Sequence, residues 1–313
     1  MTLPDRQQDP LVSTIQPVHT EKAVVMNVRE LMEKVFPKCA VVTELPPSEA
    51  LRQNNLRIFR LDVTDPEKFK TPEMFRKRVP YFGELILNAL EERKPTPRKF
   101  KADDPEFIDE FVRDYLPTFP VSTIYFIASP EKVVGYSSGY KTEAEGIGTV
   151  FYALLATIDK NLRGRPGIAK SLIGQPYGDK DTQAVMSDSL VPAAVKTEFS
   201  VAEENGFAAY YCGFRKGNMD TPLSPAERKV IDDLLPVEQR QVEMVGLDEY
   251  QEGLPQHLIN FGEYGIPQYT REELRFSPGD PLQRTFERLI DLRPGENISG
   301  ALIRVRKKLI GES

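Results

Sequence analysis

Apolar and polar positions change period several times along this chain, and each change marks an element. Val24, Val25, Val28, Leu31, Met32 and Val35 recur at helical spacing over 22–36. Polar and apolar residues then alternate over 55–63, which predicts a half-buried strand closed by Thr64, Asp65 and Pro66. Helices are expected over 79–90 and 105–116, joined by a basic, proline-broken loop at 93–101 that reads as a solvated connection. The β-branched and aromatic run 122–128, a turn at 129–132 and a second run 133–140 predict a hairpin. A longer strand follows over 149–158, and 167–173 opens a helix with Ile168, Leu172 and Ile173 on one face. A strand at 184–190, a helix at 192–204 with Pro192 in its first turn and a short strand at 208–214 complete the run. Such an order predicts an α/β (α+β) fold, a mixed central sheet flanked by helices.

The ends differ in texture. Residues 1–20 are polar and proline-containing and read as a flexible leader. From Lys216 onward Pro, Gly and charge recur, with a short helix expected over 225–235 and an alternating stretch at 298–310 that suits a strand or a helix. The expected organisation is a domain over 21–215 with an N-terminal helical elaboration, and a C-terminal extension over 216–313 packed on it.

Composition narrows the chemistry. The 313 residues are 40% apolar and 28% charged, ordinary for a soluble globular protein. A net charge of -6 weighs against nucleic acid or an anionic membrane as partner. Cys39 and Cys212, with His19 and His257, are too few for a disulfide framework or a Cys- or His-rich metal centre. A Ser-His-Asp hydrolase would have to rely on His257. No apolar run approaches the roughly 20 residues of a membrane span, and the first residues lack the pattern of a signal peptide, so a cytoplasmic location is expected. Any chemistry must therefore come from backbone groups, carboxylates, Tyr, Ser, Lys or a cofactor.

The most informative segment is 155–173. A buried strand leads into a polar turn holding Arg163, Gly164, Arg165 and Gly167, and then into the start of an apolar-faced helix. Glycines let a backbone curl closely around a ligand. The first N–H groups of a helix lack internal partners and carry partial positive charge, so a phosphate or pyrophosphate suits the place. An ordinary strand–helix turn with solvated arginines would look the same.

Two motifs in order decide between these readings. Ile158-Asp159, then Leu162-Arg163-Gly164-Arg165, then Gly167-Ile168-Ala169 resembles the turn of GNAT acyltransferases, with Pro166 as one extra residue. The run 191–194 after a strand, a helix ending in Glu204-Asn205-Gly206-Phe207, and a following strand are similar to the next part of that family. The resemblance covers roughly residues 55–215 and implies a GNAT-like fold and N-acyltransferase activity with acetyl-CoA or another acyl-CoA as co-substrate and no metal. It implies that Arg163, Gly164, Arg165, Gly167, Ile168 and Ala169 bind the pyrophosphate, while backbone groups of Thr157 and Ile158 pair with the pantetheine arm. The acceptor would be a small-molecule or peptide amine. Many family members place a tyrosine acid where this chain has Ala202, so Ser189, Tyr210 and Tyr211 become the candidate catalytic acids. Asp188 and Tyr152 are further polar candidates, and Cys212 reads as a buried, inert thiol.

Two alternatives stand beside that reading. One is a GNAT-like binding or regulatory protein without transfer activity. The other is a P-loop NTPase, because 164–171 nearly spells Gly-x4-Gly-Lys-Ser, with Ala169 in place of the second glycine and Lys170 in the essential position. The helical stretch 64–120 and the tail after Lys216 exceed a minimal domain and could shape an acceptor pocket or a homodimer interface.

Overall fold

Alternating strands dominate the molecule, as the period-two stretches predict. The computed structural model describes residues 35, 38–91, 120–189, 191–245, 252–254, 259–266, 276, 279–292 and 298–312. The leader, the helix expected at 105–116, the loop at 93–101, His257 and all but Val35 of the helix expected over 22–36 lie outside them. In chain order the strands are β1 Ala40–Leu45, β2 Arg57–Val63, β3 Thr123–Ala128, β4 Val133–Ala144, β5 Gly148–Ile158, β6 Ala184–Ser189, β7 Phe207–Tyr211, β8 Phe214–Arg215, β9 Glu252–Leu254, β10 Ile259–Ile266 and β11 Ile298–Arg306. The helices are α1 Glu49–Gln53, α2 Pro66–Phe69, α3 Pro72–Glu91, α4 Ile168–Ile173, α5 Pro192–Glu204, α6 Pro225–Val245 and α7 Pro281–Leu292.

The strands form one mixed sheet. β1 to β5 run as an antiparallel meander, and β5 then pairs in parallel with β6. β11 lies antiparallel against β6, and its other edge is shared by β7 and β10. Helices cover both faces. Ile168 and Leu172 of α4 and Val201 of α5 pack with Leu51 of α1 against Phe151, Val185 and Phe207. On the opposite face Val230, Leu234 and Val237 of α6 pack against Tyr140, Tyr152, Met186 and Ile303. Phe82 and Leu85 of α3 cover Phe59, Phe126 and Tyr136 on that same face. This is the mixed, helix-flanked sheet that the order of elements predicts.

Four departures have physical causes. β1 and α1 carry too short a pattern to stand out, although Ser48 caps α1 by accepting from the Leu51 amide. The strand expected to run to residue 214 turns back at Cys212 and Gly213, whose φ values of 49° and 77° make a hairpin into β8. α6 continues through Pro236 to Val245 instead of stopping at 235, because its apolar stripe has a sheet to cover. The stretch at 298–310 is a strand and then a 3₁₀ turn.

The last departure matters most for architecture. β11, from the far end of the sequence, sits between β6 and β7. Ala301, Ile303 and Val305 point to the α6 face, while Leu302 joins Leu282, Phe286 and Leu289 of α7 on the other. Arg304 is fully buried in this strand, a costly position unless every donor is used. Its Nε donates to Tyr177 Oη at 2.9 Å, and its Nη1 donates to Ser187 Oγ at 2.8 Å and to the Leu302 carbonyl at 2.7 Å. Glu198, which accepts from Tyr177 Oη at 2.9 Å, lies 3.7 Å from the guanidinium and balances its charge. Among the described residues no helix is long and apolar enough to cross a membrane.

Two outcomes are expected. A Cβ on Gly139 would lie 2.4 Å from both the Phe151 ring and the Tyr152 carbonyl. Gly139→Ala should therefore lower unfolding free energy by about 1–3 kcal/mol in denaturant titration, with Gly178→Ala, which meets no atom within 4 Å, as the control. A chain cut after Arg215 loses β11 and should show no cooperative unfolding transition, because the facing edges of β6 and β7 are left unpaired.

Candidate functional site

β5 and β6 pair only from Val150 to Tyr152 against Ala184 to Met186. Beyond that point β5 stays with β4 as far as Ile158, and β6 stays with β11 as far as Ser189. The two central strands therefore fork toward their carboxyl ends. A β-bulge helps to open the fork: Ser138 pairs with Leu155 and Gly139 with Ala153, leaving Leu154 as the extra residue. Gly139 is required there by the close Phe151 ring and Tyr152 carbonyl.

Strand alternation then decides which backbone groups face the fork. The Asp159 amide donates to the Val134 carbonyl at 2.8 Å, so Thr157, two residues earlier, also turns its N–H and C=O toward β4. Ala156 and Ile158 turn theirs toward the open side. Ala156 is exposed although it lies inside a central strand, while the Thr157 side chain is buried. Of the two residues that the resemblance assigns to a pantetheine arm, Ile158 presents its backbone to the fork and Thr157 does not.

The turn that follows is tied down from several sides. Asp159 Oδ1 accepts from the Asn161 amide at 2.9 Å and its Oδ2 from Lys132 Nζ at 2.6 Å. The Lys132 contact holds this carboxyl below its usual range, with the Asn161 amide adding to the effect and burial opposing it. Arg163 folds back so that Nε donates to the Ile158 carbonyl at 2.9 Å, and Arg165 Nη1 donates to Asn54 Oδ1 at 2.6 Å. Gly164 and Gly167 have φ of 77° and 82°, which favours glycine at both. Gly167 also meets Ala50 of α1, whose Cβ would lie 2.8 Å from one added there. No side chain caps α4 at Gly167, so the amides of its first turn stay available to an anion. Ile168 is buried as the helix's anchor, and Ala169 is exposed beside it.

Lys170 bears on one alternative. Its Nζ donates to Ser200 Oγ at 2.8 Å and to Glu204 Oε1 at 2.5 Å, which directs it onto α5 and away from the turn. A P-loop needs that ammonium over the phosphates. The arrangement does not provide it.

A buried polar cluster sits where the strands part, on the α6 face. Tyr152, in the last parallel pair, has its hydroxyl 2.9 Å from Asp188 Oδ2 and 3.0 Å from Glu238 Oε2. Its ring stacks on Tyr140 with centroids 5.6 Å apart, and the Tyr140 hydroxyl donates to Gln241 Oε1 at 2.8 Å. Burial, and then the two carboxylates, push the Tyr152 phenol well above its usual range. Burial likewise raises Tyr211 and Cys212, with Asp188 adding to both, so the cluster reaches the end of β7. All three groups stay protonated at neutral pH.

The candidate acids fall around this cluster unequally. Tyr211 donates its hydroxyl to the Ser189 carbonyl at 2.8 Å and stacks on Phe286, while Ser189 Oγ accepts from the Val191 amide at 3.1 Å. These two are brought together at the end of β6. Tyr210 lies on the α6 face with its hydroxyl on Glu227 Oε1 at 3.0 Å. Ala202 is buried in the core under α5. Cys212 is buried beside Tyr211, as expected of an inert thiol.

Glu238 is the residue the sequence reading misses, because the helix carrying it was expected to end at 235. One signal was there: Val230, Leu234, Val237 and Gln241 form a helical stripe, and Glu238 lies inside it as a charge facing a core. Elsewhere a pocket of about 570 Å³ opens between α5, β7 and the start of α7. Of its cations, Lys196 is paired with Asp280, Lys216 with Glu203, and Arg215 with Glu227 and Glu312, and Lys307 also lines it.

No protein-family model matches this chain, and no curated protein sequence does. Solved structures do match part of it. An aminoglycoside acetyltransferase from an uncultured soil metagenomic sample is 23% identical over 47% of this chain and 88% of its own, with a TM-score of 0.31. Diaminobutyrate acetyltransferase from Paenibacillus lautus, solved with L-2,4-diaminobutyric acid and coenzyme A, is 14% identical over 46% of this chain and 81% of its own, at 0.29. A protein from Desulfovibrio desulfuricans described as an acetyltransferase of the GNAT family is 13% identical over 55% and 86%, at 0.27. These are acetyltransferases, of the kind that the two sequence motifs resemble; likenesses this low say nothing of substrate or activity.

Proposed function

We propose that this protein is an N-acyltransferase that takes an acyl group from an acyl-CoA held at the fork of β5 and β6 and passes it to an amine. The supporting observation is the fork itself. An open β5 edge runs straight into a glycine turn whose helix start no side chain caps. An extended thioester arm suits the first feature, and a pyrophosphate suits the second.

The residues present fit that group in most respects. The amides of Gly164, Arg165, Gly167, Ile168 and Ala169 line the turn, and Arg163 and Arg165 bring two positive charges to it. Pro166 offers no N–H and the Arg165 amide donates to the Leu162 carbonyl at 3.2 Å, so two positions of the cradle are silent. The Ile158 amide and the backbone groups of Ala156 would pair with the arm, Ala156 in place of Thr157, since the Ile158 carbonyl is held by Arg163 Nε. Bound acyl-CoA would supply an activated acyl carbon. Open-side amides of β5 would then steady negative charge developing on the acyl oxygen. Tyr211 would position Ser189 at the mouth of the fork, where the Ser189 hydroxyl can pass a proton to a departing thiolate. Tyr210, held by Glu227, would serve the fold of the α6 face.

Calorimetric titration with acetyl-CoA tests the reading, with Mg-ATP in parallel. Saturable acetyl-CoA binding is expected, weakened about tenfold in Arg163→Ala and in Arg165→Ala, the usual size of one lost charge-assisted contact. Thiol release from acetyl-CoA across a panel of primary amines then checks transfer. Binding without release from any amine would favour the noncatalytic alternative, and binding of ATP alone would overturn the proposal.

A further inference from the structure

β7 is hydrogen-bonded along one edge and open along part of the other. The Lys307 amide donates to the Gly206 carbonyl at 3.0 Å, and the Cys212 amide to the Ala301 carbonyl at 3.0 Å. Gly206, Ala208, Tyr210 and Cys212 therefore turn their main chains toward β11, and Phe207 and Ala209 turn theirs away from it. On that outer side β8 accompanies β7 only at Tyr210 and Tyr211, and the Lys216 amide then donates to the Ala209 carbonyl at 2.8 Å. Past Lys216 the chain turns away: Gly217 has a φ of 67°, and the Asn218 amide bonds back to the Arg215 carbonyl at 2.8 Å. The Ala209 N–H and both main-chain groups of Phe207 are left without a hydrogen bond among the described residues. Phe207 is 1% exposed and Ala209 3%, and unpaired main-chain groups in buried residues are rare.

Phe207 and Ala209 line the cavity of about 570 Å³, and so do Asn218 and Thr221 from the segment that leaves β8. The free edge of β7 therefore opens on that cavity. Phe199 and Leu282 give it apolar walls, and Lys216 and Lys307 bring positive charge to it. Lys216 Nζ pairs with Glu203 at 3.0 Å, but both side chains are more than half exposed, so a ligand carboxylate can take the place of Glu203 at little cost.

We propose that this cavity binds the carboxyl-terminal end of a peptide as a short strand parallel to β7. The order of the free groups sets the direction. In parallel pairing the Phe207 N–H donates to the carbonyl of the third residue from the peptide's end, and the last residue's N–H donates to the Phe207 carbonyl. The Ala209 N–H then meets the terminal carboxylate, where Lys216 stands and a longer strand would have to stop. An antiparallel peptide would bring its amino end to the same place, where neither the Ala209 N–H nor the Lys216 ammonium can accept a hydrogen bond. A carboxylate accepts from both. β6 and β11 lie between β7 and β5, so the site is separate from the fork and does not rest on the acyl-CoA reading.

Nuclear magnetic resonance of the isotope-labelled full chain tests the site with three probes. These are N-acetyl-trialanine with a free carboxyl group, its carboxyl-terminal amide, and the free acid methylated on its last nitrogen. The free acid should shift the Phe207 and Ala209 amide resonances saturably. The amide and the N-methyl form should each bind about tenfold more weakly, one lacking the charge and the other the N–H. Lys216→Ala should weaken the free acid about tenfold and leave the affinity of the amide unchanged, a difference that general damage to the fold would not produce. Failure of the free acid to move either resonance at about 10 mM, or equal affinity of acid and amide for the wild type, overturns the proposal.

Discussion

Parallel pairing between β5 and β6 lasts for three residues and then stops, and most of what distinguishes this molecule follows from that brevity. A strand in the middle of a sheet ordinarily has both edges satisfied, since a buried amide without a partner costs as much as a lost hydrogen bond. Here β5 keeps its β4 edge to Ile158, while its other edge opens toward a turn rich in glycine and arginine. The bulge at Leu154 and the glycine opposite it make the divergence possible locally. Tyr177, Ser187 and Arg304 make it durable, because they hold β6 to β11 and α5 and away from β5.

The two faces of the fork have different chemistry. Toward α4 and α5 it presents backbone amides, a left-handed glycine at the helix start and two arginines, a setting for a polyanion at the end of an extended arm. Toward α6 it presents a phenol set between two carboxyl groups. Separating the two sets by the thickness of one sheet keeps negative carboxylates away from a negative ligand.

α6 and β11 show why the tail cannot be treated as an accessory. One supplies Glu238 and the apolar cover of Tyr152 and Met186, and the other supplies the strand that joins β6 to β7. Both come from the region that the sequence reading set aside as an extension. Proline and glycine density made that region look irregular. Pro236 nonetheless sits within a helix, where the stripe on Val230, Leu234 and Val237 outweighs its missing donor.

What could be read from the chain alone was whatever depends on neighbours in sequence. Period-two runs located β2 to β6, helical spacing with Pro192 and Gly206 bounded α5, and the order of glycines and arginines after Ile158 marked the turn. Local rules suffice there because strands, caps and turns are decided within a few residues. Tertiary structure alone decided the rest. Nothing near Ile298 says that its strand will pair with Ser189 and Tyr211, and nothing near Glu238 says that it will meet a tyrosine 86 residues away. Which side of β5 offers its amides likewise depended on the register with β4, a single-residue matter that hydrophobic pattern does not resolve once a bulge intervenes.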